Sequence, residues 1–247
     1  MIDRNHFKFE VCANCVESCI AAQDGGADRV ELCAGIPEGG TTPSYGEILV
    51  ARKVLTHTLL HVIIRPRAGS FVYSPLEAER MMADIDISKE LGADGVVFGC
   101  LTSEGTIDKD LNARLVEHAK GMNITFHRAF DVCSDPQQAI EDIIQLGFNR
   151  ILTSGQKSTA IQGVKELAAF QRQADHRIQI MAGCGVNESN IARIYSSTKI
   201  TEYHFSARRK AGHDSKDGQI WTQQFGEFLT TTPDRVKSTI DALFNNL

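Results

Sequence analysis

The chain has 247 residues, 42% of them hydrophobic and 23% charged, with a formal charge of −5 at neutral pH. That is ample material for a large core, and the acidic balance sets nucleic acid and anionic membrane surfaces aside as partners. No run approaches the ~18 unbroken apolar residues of a membrane span, and seven cysteines without an export signal read as reduced thiols in a cytoplasm.

Strand-then-helix units follow one another with no linker or low-complexity break, so residues 1–247 are expected to form one domain. Lys8–Cys12 reads as the first strand, and its helix runs from Val16 to Gln23, stopped by Gly25-Gly26. Arg29–Cys33 is the second strand. There Val30 and Leu32 alternate with Glu31 and Cys33, which puts the carboxylate and the thiol on one face. A lone carboxylate is costly to bury, so a Glu31 turned into a barrel needs a partner or a chemical task. On an edge strand it would simply meet water. A loop rich in glycine and proline then feeds a helix from Ser44 to Val54.

Leu59–Arg65 is the third strand, broken by Pro66. Ser74-Pro75 supplies a cap and a first-turn proline for a helix reaching Leu91, with Gly92 as its stop. Gly95–Cys100 and Ile124–Arg128 are strands four and five, separated by a helix over Lys109–Ala119. Asp135-Pro136 caps a helix that ends at Leu146-Gly147. Arg150–Thr153 is strand six, with a helix over Thr159–Arg172; Arg177–Gly183 is strand seven, with Asn187 as the expected cap of the helix after it. Thr201–Ser206 is strand eight, and a last helix covers Pro233–Phe244. Residues 207–231 are expected to be irregular, a candidate lid or dimer contact. Eight such units predict an α/β fold closed into a (β/α)8 TIM barrel. The alternative, an open doubly wound sheet, lacks its Gly-x-Gly-x-x-Gly fingerprint after the first strand.

In a barrel of this kind the strand C-termini and the loops that follow form the working face. Here they gather two carboxylates, several arginines, a histidine and two thiols, and three chemistries compete with plainer readings. Glu10, Glu31, Arg65 and His127 are candidate catalytic groups of an enzyme acting on a small anionic or phosphorylated metabolite, with the imidazole tuned by a carboxylate. A strand histidine can equally be a satisfied core group. Arg67 and Arg128, with the turns at Ser154-Gly155 and Gly183-Cys184-Gly185, are candidate anion binders; the plainer reading is that such glycines only make tight turns. Cys12 and Cys33 end neighbouring strands and are candidate Cu(I) ligands, because Cu(I) prefers sulfur. Taken bare, a free cysteine is more often a small buried hydrophobe. An iron–sulfur reading of Cys12, Cys15 and Cys19 fails because the set is split between a strand and a helix.

Several blocks in this order resemble the CutC family, which is named for copper homeostasis. They are Glu10-Val11-Cys12, Gly26-Ala27-Asp28-Arg29-Val30-Glu31-Leu32-Cys33, Glu38-Gly39-Gly40-Thr41-Thr42-Pro43-Ser44, Ile64-Arg65-Pro66-Arg67, Thr125-Phe126-His127-Arg128-Ala129-Phe130-Asp131 and Leu152-Thr153-Ser154-Gly155. The resemblance covers about Phe7 to Arg208, and the segment after Arg209 departs from it. It implies a cytoplasmic barrel protein that forms a homodimer and handles copper, with the family's copper cysteines falling on Cys12 and Cys33.

Overall fold

The structure is a computed structural model and describes residues 3–210 and 229–245. Eight parallel strands pair in sequence order and close on themselves: β1 (Lys8–Ala13), β2 (Arg29–Leu32), β3 (Leu59–Ile63), β4 (Gly95–Phe98), β5 (Asn123–Phe126), β6 (Arg150–Thr153), β7 (Gln179–Ala182) and β8 (Glu202–Phe205). Helices α1 (Val16–Asp24), α2 (Tyr45–Val54), α3 (Pro75–Glu90), α4 (Lys109–His118), α5 (Pro136–Gln145), α6 (Val164–Ala174) and α7 (Ile191–Thr198) fill the crossovers, and α8 (Pro233–Asn245) follows the last strand. This is the expected TIM barrel.

The period-two alternation decides what each strand shows to either side. Val11, Val30, Leu32, Val62, Val96, Phe126, Ile151 and Tyr203 belong to the large apolar cluster shared with the helices. The alternate positions turn into the barrel, where Arg29 of β2 reaches Glu10 of β1 and both Met181 of β7 and Glu202 of β8. Glu31 therefore points inward. Two glycines make room for inward histidines. A Cβ on Gly95 would lie 2.5 Å from His61 Nε2, and one on Gly99 would lie 2.9 Å from His127 Nδ1. Larger residues there would push a ring or a strand aside.

The local signals act as their chemistry requires. Ser74 and Glu77 form a reciprocal capping box around Pro75 at the head of α3, and the Asp135 carboxylate accepts from the Gln138 N–H at the head of α5. Three expectations need correction. Asn187 does not cap α7. Its side-chain oxygen accepts from the Ser189 N–H in the preceding turn, and Asn190 stands at the cap with no side-chain bond to the helix. The helix after β6 starts at Val164, because the Thr159–Gly163 stretch forms turns closed by the N–H of Gly163 on Thr159 and Ala160 carbonyls. The 207–231 segment is not wholly irregular. Arg208–Lys210 and Leu229–Thr231 pair antiparallel as β9 and β10, and the expected lid or dimer contact between them, residues 211–228, lies outside the described residues. This pair is tied to the barrel through Asn14, whose amide donates to the Leu229 carbonyl, and through Ser18, which accepts from the Thr231 N–H. Among the described residues no helix is long and apolar enough to cross a membrane.

Candidate functional site

The C-terminal ends of the strands enclose a cavity of about 360 Å³. Its wall includes Cys12, Glu31, Cys33, Arg65, His127, Arg128, Asp131, His204 and Arg208, with Ile63, Phe71 and Leu152 as apolar lining. Residues from β1, β2, β3, β6, β8 and β9, and from the turn after β5, thus meet at one mouth. Cys12 and Cys33 come from adjacent strands and their sulfurs lie 3.4 Å apart. One ligand atom from each of Cys12, Glu31 and Cys33 lies within 4.8 Å of the other two.

His204 organises this cluster. Its Nδ1 is 2.7 Å from Glu10 Oε1, and its Nε2 is 3.8 Å from Glu31 Oε2. Burial pushes the imidazole down, but the carboxylates of Glu31 and Glu10 and the Cys12 sulfur together hold it well above the ordinary histidine range. The Cys33 thiol and His204 draw Cys12 well below the usual thiol range despite its burial, while the same sulfur contact and burial hold Cys33 well above it. Glu31 is 5% exposed, and desolvation pushes its carboxyl up to about 8. A buried carboxyl that changes charge near neutral pH is suited to holding or releasing a proton.

Below the mouth lies a layer of buried charge. Burial alone would raise the Glu10 carboxyl, but Arg29 and His204 hold it well below the carboxylate range. Arg29 donates to Glu10 and, at 2.9 Å, to Glu202, which also accepts from Arg150 at 2.8 Å. Two carboxylates and two guanidiniums balance. Glu10 is therefore set one layer beneath the cavity and does not line it.

The other candidates divide. Glu31, Arg65 and His127 do share the cavity wall. The Arg65 guanidinium, however, is given to the carbonyls of Glu38, Gly40 and Gly69 and holds the loop after β2 in place. His127 Nδ1 accepts from the Ala129 N–H, and its Nε2 is buried without a partner. Desolvation and the Arg65 charge push that ring down to about 3, so it stays neutral at working pH. Arg67 lies away from the cavity, bound to Glu77 and stacked over Tyr73. The turns expected to hold an anion are already occupied. Asp131 accepts from the N–H groups of Ser154 and Gln156 and from the hydroxyls of Thr153 and Ser154, and it pairs with Arg128 at 2.8 Å. The Gly155 N–H goes to Thr153 Oγ1 and that of Gly183 to the Thr153 carbonyl. Ser154, Gly155, Gly183 and Gly185 do not line the cavity, although Arg128 and Asp131 do.

His61, His204, Arg208 and the Arg29–Glu202–Arg150 network were not among the candidate site residues. The available signal was the period-two pattern itself, which turns Arg29, Arg150, Glu202 and His204 inward with Glu10 and Glu31. His61, 1% exposed, sits 3.9 Å from Glu10. Arg208 had no such signal, because it reaches the mouth only through the pairing of β9 with β10.

Comparison with known proteins follows the same geometry. The model of the CutC family matches residues 7–209. A CutC family protein of Bacteroides thetaiotaomicron is 58% identical over 245 residues, covering 96% of this chain and 98% of that one. The human copper homeostasis protein cutC homolog is 47% identical over 204 residues, covering 83% of this chain and 74% of that one. A crystal structure of a CutC protein from Streptococcus agalactiae superposes with a TM-score of 0.78 at 37% identity, over 81% of this chain and 98% of that one. A thiamine phosphate pyrophosphorylase from Pyrococcus furiosus, at 17% identity and a TM-score of 0.60, shares the fold alone.

Proposed function

We propose, from the premise that this chain belongs to the CutC family, that its barrel mouth takes Cu(I) as cargo in copper homeostasis, through the thiolates of Cys12 and Cys33. The observation that carries this reading is the 3.4 Å separation of the two sulfurs at the cavity wall. Thiolates are the ligands Cu(I) prefers. Taking the ~2.3 Å of a zinc–thiolate bond as a gauge, sulfurs this close subtend roughly 95° at the ion. That angle leaves room for a third donor, and Glu31 is placed to supply it. Two thiolates and a carboxylate would outweigh one Cu(I), and the imidazolium of His204 with the guanidinium of Arg208 offsets the excess. Burial makes that balance matter. The human relative's name supports the same role. Family membership also supports a homodimer, and the seven free cysteines suit a reducing cytoplasm.

Anaerobic titration of the reduced chain with Cu(I), against a competing chelator, tests the assignment. Cys12→Ser and Cys33→Ser should each weaken binding at least tenfold, about 1.4 kcal/mol. If both bind like the parent, the ligands are wrong.

A second reading, an enzyme for a small anionic or phosphorylated metabolite, rests on Glu31, a buried carboxyl that desolvation pushes up to about 8 at the wall of a ligand-sized cavity. Arg208 has no ion pair among the described residues and is the guanidinium best placed to receive such an anion. A thermal-shift screen with phosphorylated metabolites should then raise the melting temperature by mass action, and Arg208→Ala should abolish the shift. No shift with any of them counts against the enzyme.

A further inference from the structure

We propose that Cys12 and Cys33 form a redox-active dithiol that exchanges with low-molecular-weight disulfides entering the barrel mouth, an activity separate from copper binding. A disulfide bond is about 2.05 Å long, so sulfurs 3.4 Å apart close by approaching roughly 1.4 Å. Cys33 stands just past the end of β2, where the chain turns into the loop closed by the Ala34–Thr41 bridge. Elsewhere among the described residues, which include all seven cysteines, no two sulfurs come within hydrogen-bonding distance of each other.

Access divides the labour. Cys12 is half-buried at the cavity wall, whereas Cys33 is 1% exposed beside it. An attacking thiol must meet the incoming sulfur, and a resolving thiol acts only on the mixed disulfide that forms next to it. The cavity can admit part of a small molecule, and Arg128 and Arg208 at its wall suit a disulfide that carries carboxylates.

The chemistry balances in two exchanges. The Cys12 thiol attacks R–S–S–R, forming Cys12–S–S–R and releasing one R–SH that takes the Cys12 proton. The Cys33 thiol then attacks the Cys12 sulfur, forming the Cys12–Cys33 disulfide and releasing the second R–SH with the Cys33 proton. The protein dithiol loses two electrons and the small disulfide gains them.

Oxidised glutathione is a suitable probe, used on reduced full-length chain in a Cys184→Ser background that removes the other half-buried thiol. Acid quenching, denaturation and alkylation should show two thiols lost and two equivalents of reduced glutathione released. A non-reducing peptide map should show Cys12 joined to Cys33. Adding Cys33→Ser should halt the reaction at glutathione bound to Cys12 with one equivalent released, and Cys12→Ser should give neither product. If a variant fails to fold, as judged by its melting curve, the peptide map of the Cys184→Ser chain decides alone. No Cys12–Cys33 link in that map, or an adduct on another cysteine, overturns the proposal. Cu(I) titration of the reduced chain reads the copper assignment independently, so copper bound without exchange would remove this inference and leave that one standing.

Discussion

At the scale of single residues, Glu31 gives the clearest consequence of the barrel's interior. Desolvation raises its folded-state value to about 8, against an unfolded value near the ordinary 4.5. The folded protein therefore holds a proton that the unfolded chain has released, and stability falls as pH rises between those two values. Glu31→Gln keeps the shape and removes the titration. Melting curves of parent and variant from pH 5 to pH 8 should thus diverge, with the variant gaining relative to the parent as pH rises, by a few kcal/mol at most. A constant difference across that range would show that Glu31 does not carry the proton. Below the ordinary histidine range His204 is charged in the folded and unfolded chain alike, so divergence at the acid end of the window belongs to Glu31. Above that range the loss of the Glu31 charge that helps to raise His204 enters the difference as well.

At the scale of elements, legibility followed the range of the interaction that shapes each feature. Strand positions and the inward turn of Glu31 and Cys33 were readable because period two is a property of neighbouring residues. The starts of α3 and α5 were readable for the same reason, since Ser74 and Asp135 cap amides three residues away. What escaped depended on distant parts of the chain. The small-residue turn after β6 looks like an anion cradle in isolation, yet its amides face a carboxylate that arrives from Asp131, 23 residues earlier at Ser154. Arg65 and Arg67 look like one charged pair, but the first is absorbed by the loop after β2 and the second by the head of α3. The inward histidines were ambiguous because their space comes from glycines on the neighbouring strand, Gly95 for His61 and Gly99 for His127. Arg208 joins the mouth through β9, whose pairing partner β10 lies some 20 residues further along the chain.

At the scale of the whole molecule, the barrel is sealed outside by apolar packing and inside by paired charge, and only the inner part is tied to the site. Arg29 links β1 and β8, which close the ring, and Glu202 carries the link on to Arg150 of β6. Removing one member of such a network leaves a buried charge without compensation, at a cost of about 3–5 kcal/mol. Arg29→Met, which roughly keeps the volume, should therefore lower the melting temperature by roughly 6 to 20 °C in a chain of this size, while the exposed Glu117→Gln should leave it unchanged. The loss falls mainly on Glu10, which is fully buried and keeps only the His204 imidazole, while Glu202 retains the Arg150 guanidinium. Adding Glu10→Gln to Arg29→Met should accordingly recover part of the stability instead of compounding the damage, the non-additivity expected of groups in direct contact. A double variant less stable than Arg29→Met alone would show that the fold needs the Glu10 carboxylate itself, and with it the bond to His204, more than it needs charge balance.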